Sequence, residues 1–122
     1  MNISKFTQKS VQAVEGCQKL AYEYGNQEIE QEHLLYSLLM IEDSLILKLI
    51  ERMEIHKEHF CNRVEQALNQ RTKVQGGQVY VGQYLNKVLI SAEDEAKQLG
   101  DEYVSVEHLF LAMLKAPNKA IA

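Results

Sequence analysis

The Glu32-His33 pair in "QEIEQEHLLYSLL" and the Glu107-His108 pair in "EYVSVEHLFLAML" are the residues whose types and spacing come nearest to chemistry. Each glutamate falls in the first turn of an expected helix, where a carboxylate is favourable at the positive end of the dipole. Two such carboxylates could equally form paired recognition points for a basic or backbone-donor group. Each histidine precedes apolar residues, which suits a partly buried imidazole bonded to neighbouring backbone or to the other copy. Neither belongs to an H-E-x-x-H run, the spacing that sets two zinc ligands on one helix face.

The remaining candidates are weaker. In "HKEHFC", residues 56–61, His56 and His59 lie one helical turn apart and could share a metal. A zinc site takes roughly three or four protein ligands, and Cys61 points elsewhere on the helix, so a solvated face is expected and no metal. No serine or cysteine shows a histidine and carboxylate partnership, which leaves hydrolase chemistry without a basis. Cys17 and Cys61 are too few for a disulfide framework and fall in amphipathic patterns, where a thiol serves as a small hydrophobe.

Helices must position these residues. The chain has 122 residues, 46% of them hydrophobic, and a single proline, which fits one compact and largely helical domain. Ser4 is the expected N-cap of a first helix whose Phe6, Ala13, Val14, Cys17, Ala21 and Tyr24 recur at three- and four-residue steps, ending at Gly25. A second helix is expected over 31–40, a third over 44–53, and a fourth over about 55–69 with Phe60, Val64, Ala67 and Leu68 on one face. The polar stretch 69–81, with Gly76-Gly77, reads as a flexible connection. A fifth helix follows, carrying Leu85, Val88, Leu89, Ala92, Ala96 and Leu99. It stops at Gly100 before a sixth helix capped by Ser105.

The second half repeats the first. Sliding it back by 75 positions sets Gly100 on Gly25, Glu107 on Glu32, His108 on His33, Leu114 on Leu39 and Ala96 on Ala21, with Val104 on Ile29 and Phe110 on Leu35. Solenoid repeats run to roughly 20–50 residues, so this longer period indicates a duplicated helical unit. Repeat one spans about 4–68, the linker 69–79 and a partial repeat two 80–122. Counterparts of the third and fourth helices are missing, so either a longer protein continues past Ala122 or the chain has been cut short.

Composition excludes several classes. The net charge is −4 and the 13 basic residues form no cluster, which argues against nucleic acid as a partner. No stretch approaches the roughly 20 apolar residues of a membrane span, and the N-terminus lacks a signal-peptide core, so a cytoplasmic location is expected. No G-x-x-x-x-G-K-[ST] loop is present, and ATP hydrolysis by this chain is not expected.

"KFTQKS" at residues 5–10, the two E-H-L units and the join "QALNQRTKVQGGQVYVGQYLNKVLISAEDEA" together resemble the Clp amino-terminal (Clp repeat) domain, most closely that of ClpB-type disaggregase chaperones. The resemblance implies an all-α, pseudo-twofold bundle of two four-helix repeats, here with the second truncated. It implies a non-enzymatic module, without cofactor, that precedes the nucleotide-binding modules of a hexameric AAA+ unfoldase. The isolated domain would be monomeric. Its partners would be unfolded or aggregated polypeptides, or adaptor proteins.

In ClpB-type domains the threonine matching Thr7, next to Phe6, borders an apolar groove between the repeats, with Asp101 and Glu107 opposite. These four are the expected client-binding residues, and Glu32 is a possible secondary docking point. Thr7 would equally serve as a first-turn hydroxyl bonding within its own helix. Ser91, Glu95 and His108 stand where relatives often carry apolar groove residues, which would make binding weaker or more charge-dependent. The alternative is a ClpC-type docking domain for adaptors or phosphoarginine, recognised through Glu32 and Glu107. Against it, Gln31 and Val106 replace the usual threonine, and Glu30 puts negative charge where a phosphate would sit.

Overall fold

The computed structural model describes residues 5–41, 43–71, 73, 79–118 and 121. Helix α1, Gln8–Glu23, is stopped at Tyr24 by Gly25, whose φ of +69° places it in the left-handed region where a Cβ is strained. The Asn26 N–H then donates back to the Ala21 carbonyl at 2.8 Å and Gly25 N–H to Tyr22 at 3.2 Å, a Schellman closure. Seventy-five residues later the same turn recurs. Gly100, at φ +75°, ends α5 (Gln83–Gln98), with Asp101 N–H donating to Ala96 at 2.8 Å and Gly100 N–H to Lys97 at 3.0 Å.

Both turns feed a short helix across the preceding one. Helix α2, Gln31–Met40, packs on α1, and α6, Val106–Lys115, packs on α5. Helices α1 and α6 also touch, as do α2 and α5, the reciprocal contacts that a twofold relation between the copies requires. Helices α3 (Leu45–Arg52) and α4 (Lys57–Asn69) follow in the first copy; α4 lies on α2, and α3 reaches α6. The core runs through the seam, with Ala13, Leu34, Leu38, Ile46, Leu109 and Met113 excluded from solvent. Each such Leu contributes about 1.5–3 kcal/mol through burial.

The helices leave two short extended contacts. β1 (Glu28–Ile29) pairs in parallel with β2 (Tyr80–Val81), while Phe6 forms a single parallel bridge with Val104. That bridge corrects the expected start of α1. Phe6 is held extended against Val104, so the helix begins later and Thr7, not Ser4, is its N-cap. Ser4 lies outside the described residues, as do Gly76 and Gly77.

Other differences have local causes. Glu54 adopts φ +62°, which breaks the chain between α3 and α4, and α4 starts at Lys57 under a His56 cap instead of near residue 55. Leu99, expected on the buried stripe, is the C-cap of α5 and 61% exposed. Phe60 and Ala67 are half-buried beside the buried Val64 and Leu68. Among the described residues, no helix is long and apolar enough to cross a membrane.

Candidate functional site

The two copies meet each other at two equivalent junctions. In one, the segment entering α1 runs beside the segment entering α6: Thr7 N–H donates to Val104 O at 2.9 Å, and Val104 N–H to Lys5 O at 2.7 Å. In the other, the segment entering α5 runs beside the segment entering α2: Gly82 N–H donates to Ile29 O at 2.7 Å, and Tyr80 N–H to Gln27 O at 2.9 Å. The 75-residue offset carries the Thr7–Val104 bond onto the Gly82–Ile29 bond and the Phe6–Val104 bridge onto the Val81–Ile29 pairing.

The histidines serve as helix clasps in both. His33 Nδ1 accepts the Glu30 N–H at 3.0 Å and its Nε2 lies 3.0 Å from Asn26 Oδ1. His108 Nδ1 accepts the Ser105 N–H at 2.9 Å and its Nε2 lies 2.9 Å from Asp101 Oδ2. Each thus ties the turn before its helix to the first helical turn. Burial, and secondarily the Arg71 charge, push His33 down to about 4, so it is neutral near pH 7.

Ser105, His108 and Asp101 fall in the order of a nucleophile, base and acid, with Ser105 Oγ 2.9 Å from His108 Nδ1. Hydrolase chemistry does not follow. The same Nδ1 already accepts a backbone N–H, and Glu107 Oε2 lies 3.0 Å from the hydroxyl. The first copy makes the same histidine contacts with Glu30 and Asn26, which offer no nucleophile. The shared feature is a clasp.

Around these clasps the junctions differ. At the first, Thr7 Oγ1 accepts the Ser10 N–H at 3.2 Å and donates to Ser10 Oγ at 2.9 Å, which caps α1. Thr7 is joined through Val104 to the segment in which Asp101 precedes α6 and Glu107 opens it. Asp101 is exposed and Glu107 half-exposed, whereas Phe6, at 7%, lies in the core. Leu99 and Tyr103, two residues to either side of Asp101, are exposed.

At the second junction the equivalent of Thr7 is Gly82, which has no capping side chain. Glu30, the equivalent of Ser105, reaches across instead. Its carboxylate accepts the N–H groups of Gln31 at 3.2 Å, Tyr84 at 3.3 Å and Leu85 at 3.1 Å, so one side chain caps the starts of both α2 and α5. Burial raises its carboxyl, the Tyr84 and Gln31 amides oppose that, and neighbouring Glu28 and Glu32 add to it.

Two further segments close over this junction. Gln31 Nε2 donates to the carbonyls of Tyr84 at 3.3 Å and Ala116 at 3.0 Å, and its Oε1 accepts the Asn118 N–H at 2.8 Å. Glu32, at 3% exposure, accepts Asn118 Nδ2 at 2.8 Å and Arg71 at 2.6 Å, while Arg71 also grips Glu28 at 2.7 Å. Burial alone would raise the Glu32 carboxyl, but bonds from Asn118, its own amide and Arg71 outweigh it and hold it low. Glu32 is therefore engaged and enclosed, unlike a docking carboxylate facing solvent.

A groove of about 1420 Å³ lies along this second side, between α4 and the end of α6, lined by Phe60, Arg63, Tyr84, Phe110, Met113 and Leu114 among others. Thr7, Asp101 and Glu107 do not line it. His56 Nδ1 is spent accepting the His59 N–H at 3.4 Å, and no cluster of ligand-type side chains able to hold a metal occurs among the described residues. Glu95 is tied to Lys115 at 2.6 Å. The residues missed by sequence reasoning are Gly82, Arg71 and Asn118. The mismatches of Thr7 with Gly82 and of Ser105 with Glu30, inside an otherwise matching frame, were the available signal.

Comparison with known proteins gives consistent results. Residues 5–122 match the family described as Clp repeat (R) N-terminal domain. The chaperone protein ClpB of Nitratidesulfovibrio vulgaris (strain Hildenborough) is 43% identical over 126 aligned positions, covering 99% of this chain and 15% of that protein. The N-terminal domain of the ClpV1 ATPase from E. coli superposes with a TM-score of 0.85 at 23% identity, over 94% of this chain and 71% of the other. A ClpV N-domain in complex with a VipB peptide superposes with a TM-score of 0.77 at 21% identity, over 97% and 75%. The chain thus spans about one-seventh of the length of the ClpB relative, and the ClpV structures share its fold.

Proposed function

From the premise that the chain belongs to the family of Clp repeat (R) N-terminal domains, we propose that it is the polypeptide-engaging module of a ClpB-type chaperone. It holds unfolded or aggregated segments for an ATP-driven parent. The observation that carries this reading is the inequality of the two junctions. The Thr7 junction presents Asp101 and Glu107 on an accessible surface, with exposed Leu99 and Tyr103 in the same segment, whereas at the second junction Glu30 and Glu32 are buried and the half-exposed Glu28 is paired with Arg71.

Leu99 and Tyr103 supply apolar area, worth about 25 cal/mol per Å² removed from water. Asp101 and Glu107 orient donor or basic groups of the segment, and Phe6 holds Thr7 in place from the core. An unfolded segment is ordered as it docks, so binding is weak and tolerant of sequence. The ClpV N-domain bound to a VipB peptide supports a peptide-holding role for this fold. Paired recognition of adaptors or phosphoarginine through Glu32 and Glu107 is less well supported, because Glu32 already serves Arg71 and Asn118 and Glu30 crowds the start of α2 with charge.

Fluorescence anisotropy of a labelled, permanently unfolded polypeptide tests the proposal. Asp101→Asn, which keeps a partner for His108 as Asn26 does for His33, and Glu107→Ala, with melting temperatures near that of the parent, should each weaken binding by about three- to tenfold, a rim contact of roughly 1 kcal/mol. Unchanged affinity in both would remove the Thr7 junction as the site.

A further inference from the structure

Glu30 and Gly82 fit each other in a way that neither explains alone. A Cβ at Gly82 would overlap the Glu30 carboxylate and come within 2.6 Å of its Cδ. The vacancy of the glycine is filled by a side chain from the facing copy. At the other junction both partners are exchanged: Thr7 carries its own cap, and Ser105 is short and turns back to His108 and Glu107. The backbone frame is the same in the two places, so this exchange of side chains is what separates them.

The position of Glu30 matters for access. Glu30, Gly82, Gln83 and Tyr84 form part of the wall of the large groove, so the carboxylate stands between that groove and the α5 amides. With Glu30 absent, the Tyr84 and Leu85 N–H groups would lose their acceptor beside the groove that Tyr84 lines, and the carbonyls of an extended chain could take the place of the carboxylate. The groups facing Glu30 are Glu28 and Glu32, each held by Arg71, and the amides that it caps.

We infer that Glu30, seated in the Gly82 notch, is the specificity determinant that makes this domain single-sited: at the junction equivalent to the polypeptide site it occupies the α5 amides on the groove wall and so confines polypeptide to the Thr7 side. This rests on the polypeptide-engaging role proposed above. It assigns to Glu30 a task beyond helix capping, since a cap alone would affect stability and leave the number of sites unchanged.

The test is an amide chemical-shift titration with a permanently unfolded polypeptide, run in parallel on the parent domain and on Glu30→Ser, which installs the residue of the open junction. The parent should shift around Thr7, Asp101 and Glu107 only. Glu30→Ser should keep those shifts and add a second saturable set at Tyr84 and Leu85. Gly82→Ala, which keeps the carboxylate but displaces it, replaces Glu30→Ser if the latter does not fold, with the same expectation. A folded variant that shifts around Thr7 but not at Tyr84 and Leu85 overturns the inference and leaves the polypeptide role standing. Absence of shifts around Thr7 in the parent overturns the role and the inference together.

Discussion

The two junctions share a backbone and differ in occupancy. At the first, Thr7 caps its own helix and Asp101 and Glu107 remain on the surface. At the second, Glu30, Gln31 and Glu32 are all buried and grip α5, the segment after α6 and the segment after α4. A duplicated unit thus supplies two candidate sites, and the substitutions that distinguish the copies spend one on holding the halves together. The histidine is a buried clasp in both places, while its glutamate is enclosed in one and half-exposed in the other. Type and spacing identify candidates, while neighbours decide between roles.

The sharpest way to break this contrast is to remove Arg71. Arg71→Ala leaves the Glu32 carboxylate enclosed with a neutral partner only, which should cost about 4 kcal/mol. Glu107→Ala at the open junction should stay within about 0.5 kcal/mol. Urea unfolding of both variants compares them, and equal losses would erase the distinction.

Acidification acts next. The folded His33 pKa of about 4 lies below the unfolded value near 6.5, so the unfolded chain binds more protons in between. The stability from neutral His33 is present above about pH 6.5 and erodes as pH falls towards 4, by about 3 kcal/mol in all. Glu32, held low, adds a loss as pH falls through its own folded value, whereas the raised Glu30 works in the opposite direction. Unfolding free energies at pH 7.5 and 5.0 should differ accordingly, and His33→Gln should flatten the difference.

Gly82→Ala should cost about 2 kcal/mol through overpacking and the displaced carboxylate, read as a lower melting temperature. Smaller again is Thr7→Ala, at about 1 kcal/mol for a lost N-cap whose hydroxyl acts within its own helix. A Thr7→Ala loss exceeding that of Gly82→Ala would reverse the assignment of open and closed junctions.

Much of the frame is legible in the residues. The bounds of α2, the glycine stops at 25 and 100 and the Ser105 cap follow from local patterning, because each is decided by neighbours within one helical turn. The start of α1 is not, since Phe6 is drawn into extended pairing by Val104, nearly a hundred residues away. Glu30 reads from sequence as a charge that repels a phosphate. Its role as a double cap depends on Gly82, which no local pattern connects to it. Thr7 is joined through Val104 to the segment that carries Asp101 and Glu107, whereas the enclosure of Glu32 depends on Arg71 and Asn118 arriving from distant segments.

Amide hydrogen exchange of the parent domain, with and without saturating unfolded polypeptide, tests the division most directly. One open and one closed junction predict slower exchange on binding at Thr7, Val104 and Glu107, with Ile29, Gly82 and Leu85 unchanged. Equal protection at both sets, or protection confined to Gly82 and Leu85, would contradict it.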